Sequence, residues 1–199
     1  MTGAGITGRA APPPQRPEGP EGPADPAGIA EPWAIPTLTT ERLTLRAPTL
    51  ADWPAYAAFY ASDRAAILGG PHGTWKAWTL FAADAGHWHL HGFGWWTIDD
   101  GAGAAGICGV HHPPNHEDAE LGWSLWDRAL GRGYATEAAV AARDWWRARH
   151  AGRLVSYVDA GNAASQAVAR RLGARTDGAR AAHDPDSEIW VHPAGEAAS

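Results

Sequence analysis

The stretch ELGWSLWDRALGRGYATEAA, residues 120–139, joins a strand-like pattern to a helix-like pattern through Arg-x-x-Gly-x-Gly. Apolar and polar residues alternate up to Leu125, which is the period of a half-buried strand, and an alanine-rich helical pattern begins after Gly133. The first amides of a helix have no intrahelical partner and carry partial positive charge. A turn without side chains leaves room for a phosphate on those amides, and the stretch predicts such a site.

Two arginines lie in this turn, one before Gly131 and one between the two glycines. A guanidinium binds a diphosphate more strongly than a neutral side chain does, so Arg128 and Arg132 are expected to add positive charge at the rim. The alternative interpretation is a plain strand-to-helix turn in which Gly131 or Gly133 adopts a positive φ. The pattern by itself is compatible with both interpretations.

The N-terminal part of the chain differs in composition from the rest. Residues 1–36 hold 9 of the 16 prolines and 6 of the 24 glycines, with few bulky apolar residues. Such a segment buries too little apolar surface to offset the entropy cost of ordering. We therefore predict a disordered tail over residues 1–37, one folded domain over residues 38–193 and a short flexible C-terminus over residues 194–199.

The overall composition excludes several classes of partner. The 199-residue chain has a net charge of −6 and scattered lysines and arginines, which argues against nucleic-acid binding. The single Cys108 excludes an internal disulfide. The N-terminus lacks the features of a signal peptide, and no segment approaches the roughly 18 apolar residues of a membrane span. We expect a cytoplasmic protein, monomeric or homodimeric, without a nucleic-acid or membrane partner.

The remaining periodicities predict an α+β fold around one central sheet. Strands are predicted at residues 41–46, 93–98, 105–112, 119–126, 154–159 and 188–192. Helices are predicted at residues 52–59, 75–90, 133–150 and 162–172.

A second glycine motif, Gly-x-Gly-x-x-Gly at residues 101–106, matches the dinucleotide-binding fingerprint literally. That fingerprint binds pyrophosphate because its glycines lie between a strand and a helix N-terminus. Here the glycines lead into another strand-like run, so we predict a β-hairpin. A dinucleotide-dependent oxidoreductase is therefore kept only as an alternative function.

Four segments occur in an order and spacing that resemble the GNAT superfamily of acetyltransferases: ERLTLR, AELGWSL, GRGYATEA and NAASQAVARRLGA. The resemblance covers residues 38–192 and is greatest to the ribosomal-protein-alanine N-acetyltransferase branch, which is RimJ/RimL-like. It implies a mostly antiparallel sheet of about six to seven strands, splayed at the cofactor site and flanked by about four helices. It also implies acetyl-CoA as cosubstrate and transfer of the acetyl group to a primary amine. The amine belongs either to a small molecule or to a protein N-terminus.

The resemblance also implies which residues contact acetyl-CoA. The glycine loop and the start of its helix correspond to the pyrophosphate site, the end of the preceding strand to the pantetheine site, and an Asn-x-x-Ser helix start to the thioester site. The implied cofactor-binding residues are Leu125, Trp126, Arg128, Leu130, Gly131, Arg132, Gly133, Tyr134, Ala135, Asn162 and Ser165.

The chemistry of the reaction indicates a general base. An amine attacks a thioester only when neutral, whereas the pKa of lysine is about 10.4 and that of a peptide α-amino group about 7.7–8.0. Glu120 is the first candidate, because it lies on the strand before the glycine loop and faces the same way as Gly122 and Ser124. His111 and His112 are the alternatives, and they should point to opposite faces of one strand.

The oxyanion and the leaving thiolate each need a hydrogen-bond donor. A strand amide near Leu125 is the candidate donor to the oxyanion. Ser165 is the candidate for the thiolate, although Ser165 and Asn162 are equally suited to capping their helix. Many enzymes of the family carry a tyrosine where this chain has Ala169, which leaves open a GNAT-fold module that binds acyl-CoA without catalysis.

Two further groups of residues are a set of aromatic residues near the GGPHG turn and two sets of histidines. Trp75 and Trp78, with His72 and the GGPHG turn, fall where enzymes of this kind cover the acceptor, which suggests an aromatic wall. No metal site is predicted, because two histidine groups have neither an HExxH motif nor a cysteine partner: His87, His89 and His91, and His111, His112 and His116.

Overall fold

Strands and helices are interspersed along the chain. The computed structural model describes residues 34–194, which contain eight strands and four α-helices. In chain order they are β1 (Leu38–Thr39), β2 (Thr44–Arg46), α1 (Trp53–Tyr60), α2 (Thr74–His91), β3 (Trp95–Asp99), β4 (Ala104–His111), β5 (Ala119–Leu125), α3 (Tyr134–Arg147), β6 (Leu154–Asp159), α4 (Ala163–Arg171), β7 (Arg175–Ala181) and β8 (Asp184–Val191).

The strands form one sheet in the order β1-β2-β3-β4-β5-β6-β8-β7. All neighbours are antiparallel except β5 and β6, which are parallel and pair only at Ala119 with Leu154 and Glu120 with Val155. One residue further along, the contact between the strands is made by a side chain. The Ser156 hydroxyl donates to the Leu121 carbonyl over 2.5 Å. The two strands separate from there on, which confirms the predicted splay.

The sequence predicts the mixed fold and all four α-helices, and the structure confirms both. The sheet has eight strands, more than the six to seven expected, because β1 and β7 were not predicted. β1 has only two residues, and the β7 sequence RTDGARA lacks the alternation of apolar residues on which strand prediction depends. The glycines at residues 101–106 lie on the β3–β4 hairpin, as predicted.

Two apolar clusters carry most of the packing. The larger cluster includes a buried stripe of α3 formed by Ala138, Ala139, Ala142 and Trp146. Three of these side chains are methyl groups, so the helix backbone lies close to the sheet. The second cluster joins α1 and α2 to the strands at Ile107 and Trp126. It includes the side chains Tyr56, Phe59, Tyr60, Ala77 and Phe81.

The packed part of the chain begins earlier than the predicted boundary at residue 38. Ile35 packs against the larger cluster, and the Trp96 indole N–H donates to the Pro36 carbonyl over 2.7 Å. The rest of the predicted tail, residues 1–33, and residues 195–199 of the predicted flexible C-terminus lie outside the described residues. No helix in residues 34–194 combines the length and the hydropathy that a membrane span requires.

Candidate active site

The loop before α3, residues 127–133, leaves the N-terminus of the helix uncovered. Gly131 and Gly133 have φ of +72° and +80°, as the turn interpretation requires. A Cβ at Gly131 would meet nothing within 4 Å, and one at Gly133 would meet only the Arg42 guanidinium at 3.5 Å. The first bond of the helix runs from the Glu137 N–H to the Gly133 carbonyl over 3.2 Å. The amides before Glu137 therefore point out of an open helix end, as the anion-site interpretation requires.

Glu137 fixes this helix end to the turn between β1 and β2. Its carboxylate accepts hydrogen bonds from the Thr40 hydroxyl over 2.6 Å, from the Arg42 N–H over 2.9 Å and from Arg42 Nε over 2.7 Å. Burial would raise the pKa of Glu137, but these hydrogen bonds hold it below its ordinary value. Arg42 also donates to the Arg132 carbonyl over 2.9 Å. The loop is thus held rigid from its outer side, a role of Glu137 that the sequence did not reveal.

The two arginines of the loop have different roles. Arg128 pairs with both oxygens of Asp100, at 2.8 and 3.0 Å, and donates to the carbonyls of Gly103 and Ala104. Its side chain joins the loop to the β3–β4 hairpin, so its charge is already paired with Asp100, and its contact with a diphosphate stays a prediction. The Arg132 side chain is exposed, with its guanidinium 5.9 Å from the Tyr134 ring, and it has no ion pair within residues 34–194.

The end of β5 presents backbone groups to the gap between β5 and β6. The Trp126 N–H donates to the Ala105 carbonyl of β4 over 2.8 Å. Alternation along the strand therefore directs the N–H and carbonyl of Leu125 to the opposite edge. That carbonyl accepts a hydrogen bond from Arg64 over 3.0 Å. The Trp126 side chain itself is buried and packs on Phe59 at 4.6 Å between ring centres, so only its backbone lies near the gap.

A cavity of about 810 Å³ fills the gap between the separated strands. β5, β6, α2, the start of α4 and the β7–β8 turn all contribute to its walls. The polar lining residues are Asp84, His87, His111, His116, Glu120, Ser124, Ser156, Tyr157, Asp159, Asn162, Ser165, His183, Asp184, Asp186 and Ser187, and aromatic or aliphatic ones include Tyr60, Ile67, Leu68, Leu80, Trp95, Ile107 and Trp123.

One wall of the cavity depends on a glycine. A Cβ at Gly122 of β5 would collide with the six-membered ring of Trp95. The missing side chain lets the Trp95 ring lie directly on β5, where it also contacts the His111 ring at 4.8 Å between centres. Gly122 therefore shapes the cavity through the position of Trp95.

Three titratable side chains meet inside the cavity. His111 and Glu120 are cross-strand partners on β4 and β5, and His111 Nε2 lies 3.4 Å from Glu120 Oε2. His116 Nδ1, from the loop between these strands, lies 3.2 Å from the same oxygen. Burial lowers the pKa of His111 to about 4, although the Glu120 carboxylate opposes this change. Glu120 thus lies between two imidazoles.

The structure places the two candidate histidines in different surroundings. His111, one of the two proposed alternatives, lines the cavity, whereas His112 does not. The backbone N–H of His112 donates to His87 Nε2 over 3.0 Å, and its ring Nε2 lies 3.1 Å from the His116 carbonyl oxygen. His116 and His183 were missed; their rings stack at 4.0 Å, and burial lowers the pKa of His183. Both come from loops between strands, so only sheet register could have brought them to Glu120.

At the start of α4, Asn162 makes the helix cap, and the Ser165 side chain does not. The Asn162 side chain accepts a hydrogen bond from the Ser165 N–H over 3.0 Å, so Asn162 is the cap. The Ser165 hydroxyl lines the cavity, and no partner for it lies in the described part of the chain. Ala169, at the position of the family's tyrosine, is fully buried in a cluster with Val158 and Trp190.

Asp84 of α2 is a further carboxylate at the cavity that the sequence did not reveal. It accepts a hydrogen bond from the Tyr56 hydroxyl over 2.7 Å. Burial raises the pKa of Asp84 to about 7 in spite of this hydrogen bond. No arginine or lysine of residues 34–194 pairs with it, so the cavity has an acidic group besides Glu120.

The aromatic wall is built by other residues than those expected. Trp75 is 79% exposed, and Trp78 packs edge-on against Trp53 at 5.2 Å, away from the cavity. The tryptophans that line the cavity are Trp95 and Trp123. Neither Trp75 nor Trp78 lines this cavity, so the structure does not support an aromatic wall built by these two residues there.

Comparison with known proteins identifies the family. Residues 42–175, more than half of the chain, match the model of the acetyltransferase (GNAT) domain. The chain belongs to the GNAT acetyltransferase family. This confirms the resemblance seen in the sequence and makes the chain an acyltransferase, with acetyl-CoA as the donor that the family uses. No curated protein matches the chain in sequence.

Solved structures agree with this assignment. An acetyltransferase from Agrobacterium tumefaciens is 42% identical at a TM-score of 0.75, covering 80% of this chain and 95% of that one. The ribosomal-protein-S5-alanine acetyltransferase from Vibrio fischeri is 16% identical at a TM-score of 0.61, covering 81% and 98%. RimL, a ribosomal L7/L12 alpha-N-protein acetyltransferase, is 20% identical at a TM-score of 0.63, covering 77% and 91%. The last two share the fold of this chain.

Proposed function

We propose that this GNAT enzyme transfers an acetyl group from acetyl-CoA to a primary amine in the cavity between β5 and β6. One observation carries the proposal. β5 loses its partner directly after Glu120, so its free edge runs from a carboxylate toward an uncovered helix N-terminus. A thioester lying along that edge has a proton acceptor at one end and an anion site at the other.

The donor half of the site uses mainly backbone groups. We assign the diphosphate of acetyl-CoA to the amides of residues 130–135, with the exposed Arg132 side chain as an additional cation. We assign the pantetheine arm to the free edge of β5 at Leu125. The Leu125 carbonyl already accepts a hydrogen bond from Arg64, so the guanidinium must move before pantetheine can pair with this carbonyl. The Leu125 N–H faces the gap and is the proposed donor to the oxyanion.

The acceptor half uses side chains. The amine enters as a cation and must lose a proton before attack. Glu120 is the proposed base, directly or through a water molecule, with His111 and His116 in position to pass the proton on. Attack of the neutral nitrogen on the thioester carbon forms the amide and releases coenzyme A. No covalent enzyme intermediate is involved.

The departing thiolate requires a hydrogen-bond donor. We assign this role to the Ser165 hydroxyl, because it lines the cavity while the cap of α4 is made by Asn162. Asn162 then acts as a positioning residue, since its cap fixes the turn that carries Ser165.

The acceptor is proposed to be a small-molecule amine or a protein N-terminus, acetylated in the cytoplasm. The Glu120 carboxylate favours a cationic acceptor, as does Asp84 in its ionised form, whose pKa burial raises to about 7. Trp95 and Leu80 offer apolar contacts in the same cavity. Ribosomal-protein enzymes among the structural neighbours support the N-terminal alternative. The cavity volume of about 810 Å³ is enough for a small amine.

Two measurements test the proposal. Titration calorimetry with acetyl-CoA should show micromolar binding, with NADH as a control that should not bind. Thiol release is then followed with peptides bearing a free N-terminus and with small primary amines, and mass spectrometry identifies the acetylated product. Acetyl-CoA binding without turnover of any amine would instead support a non-catalytic acyl-CoA-binding module.

A further inference from the structure

We propose that His111, His116 and Glu120 form a binding site for a divalent transition metal ion, with Zn²⁺ the best fit. The three residues each offer one ligand atom, and these atoms lie within 4.8 Å of one another. The sequence predicted no metal here, because the ligands come from both strands of a hairpin and from the loop between them, without a motif.

The distances match a tetrahedral ion. Zinc bonds to nitrogen and oxygen at about 2.0–2.1 Å, so neighbouring ligand atoms of a tetrahedral site lie about 3.3–3.4 Å apart. His116 Nδ1 and His111 Nε2 lie 3.2 and 3.4 Å from Glu120 Oε2. Only the distance between the two nitrogens, at most 4.8 Å, has to shorten, and rotation of the two rings toward the ion achieves that.

The hydrogen bonding of the rings supports a ligand at this point. His116 Nδ1 is buried and has no hydrogen-bond partner among the described residues, although it faces the carboxylate at 3.2 Å. A buried polar atom without a partner costs free energy unless something binds it. His87 is a contrast, because its Nδ1 lies 2.6 Å from the Phe93 carbonyl and its Nε2 accepts from the His112 N–H. His87 therefore has no free nitrogen for a metal.

The ligand set leaves a coordination position open toward the cavity. Two imidazoles and one carboxylate are the protein ligands of several open zinc sites. The consequence for catalysis rests on the proposed function. An ion bound to Glu120 Oε2 withdraws negative charge from the carboxylate and makes it a weaker base toward the acceptor amine. Zinc is therefore expected to inhibit acetyl transfer, and a chelator to restore it.

Metal binding is tested without acetyl-CoA. Full-length, tag-free protein is freed of metal with a chelator and titrated with Zn²⁺ by calorimetry, and with Co²⁺, whose visible absorption reports tetrahedral coordination. We expect one ion per chain with a Kd at or below the micromolar range. His116→Gln and His111→Gln should each weaken binding roughly 100-fold or more, because each removes one of three ligands. His91→Gln, an exposed histidine on α2, is the matched control and should bind as the wild type does.

The possible outcomes separate this inference from the proposed function. Absence of Zn²⁺ binding by the wild type, or equal loss in the His116→Gln and His91→Gln variants, overturns the metal site. Circular dichroism of each variant verifies folding. Failure of every amine in the turnover assay overturns the proposed function and leaves the metal titration unaffected. If zinc binds with the expected ligands but turnover is unchanged at saturating zinc, the inhibitory consequence is wrong.

Discussion

The loop before α3 and the cavity between β5 and β6 are built by opposite means. The loop offers backbone amides, and its essential feature is the absence of side chains at Gly131 and Gly133. The cavity offers side chains from α2, β4, β5, β6, α4 and two turns. A backbone site is specified by a few consecutive residues, whereas a side-chain site is specified by sheet register. The cofactor half of such an enzyme is therefore easier to recognise than the acceptor half.

The largest expected effect breaks the loop. Gly131→Val should abolish acetyl-CoA binding, with a loss of affinity of roughly 100-fold or more, because the side chain fills the anion site. Valine at this φ of +72° also strains the backbone. Gly92→Val, at φ +73° with equally open surroundings, is the matched control for strain. Calorimetry with acetyl-CoA on both variants checks the prediction, and equal affinities would refute the assignment of the loop.

The sequence could predict the loop because every feature of it is local. Strand alternation, the two glycines and the helix start follow one another between residues 120 and 139. The sequence could not predict the ion pair of Arg128, because its partner Asp100 lies in the turn between β3 and β4, 28 residues earlier in the chain. The charge of an arginine is easily read from sequence, but its availability depends on contacts with distant residues.

The cavity was predicted only where strand parity determines it. Glu120 was expected to face the same way as Gly122 and Ser124, and all three line the cavity. The register that places His111 opposite Glu120 was not predicted. His116, His183 and Asp84 come from two loops and from a helix, and no local pattern relates them to Glu120. The position of Trp75 outside the cavity was not predicted for the same reason, because the orientation of α2 depends on packing with α1.

The second prediction concerns a substitution in the cavity that leaves the loop before α3 unchanged. Glu120→Gln should lower kcat by roughly 10²-fold or more, because the amide accepts no proton, while the Kd for acetyl-CoA stays unchanged. Glu117→Gln, an exposed carboxylate three residues earlier, is the control and should retain full activity. Steady-state kinetics and calorimetry are compared for both variants. Unchanged kcat in Glu120→Gln would move the base to a histidine or to water.

The third prediction is that the protein loses folding stability in acid, because two buried histidines in and near the cavity must be protonated. Burial lowers the pKa of His111 and of His192 to about 4, against an ordinary value of about 6.5. Between those values the unfolded chain binds more protons than the folded chain. Stability is therefore complete above about pH 6.5 and falls toward pH 4, by on the order of 3 kcal/mol per histidine.

Urea unfolding at pH 7 and pH 5 measures this loss. The His192 ring lies 2.9 Å from the Ser156 hydroxyl beside the point where β5 and β6 separate. His192→Gln keeps a donor to Ser156 but cannot be protonated, so its free energy of unfolding should vary less with pH than that of the wild type. His91→Gln should retain the wild-type pH dependence. Identical slopes in the wild type and His192→Gln would contradict the prediction.

A smaller effect is expected from the cavity wall. Gly122→Ala should raise the KM for the amine by roughly 10-fold, because the methyl group displaces the Trp95 ring that lies on β5. Acetyl-CoA affinity should not change, since the loop before α3 is untouched. A fluorescence shift from Trp95 offers an independent signal, with Trp95→Phe as the reference. An increase in the Kd for acetyl-CoA as large as that in the KM would mean that the two halves of the site are not separable.

The smallest effect tests Ser165, which lies where the two halves meet. Its N–H belongs to the α4 cap and its hydroxyl does not, so Ser165→Ala removes only the hydroxyl. We expect kcat to fall by about 10-fold or less, with the melting temperature unchanged. Asn162→Ala removes the cap instead and should lower stability by about 1 kcal/mol. If Ser165→Ala lowers stability as much as Asn162→Ala does and leaves kcat intact, Ser165 has only a structural role and the leaving thiolate needs no donor from α4.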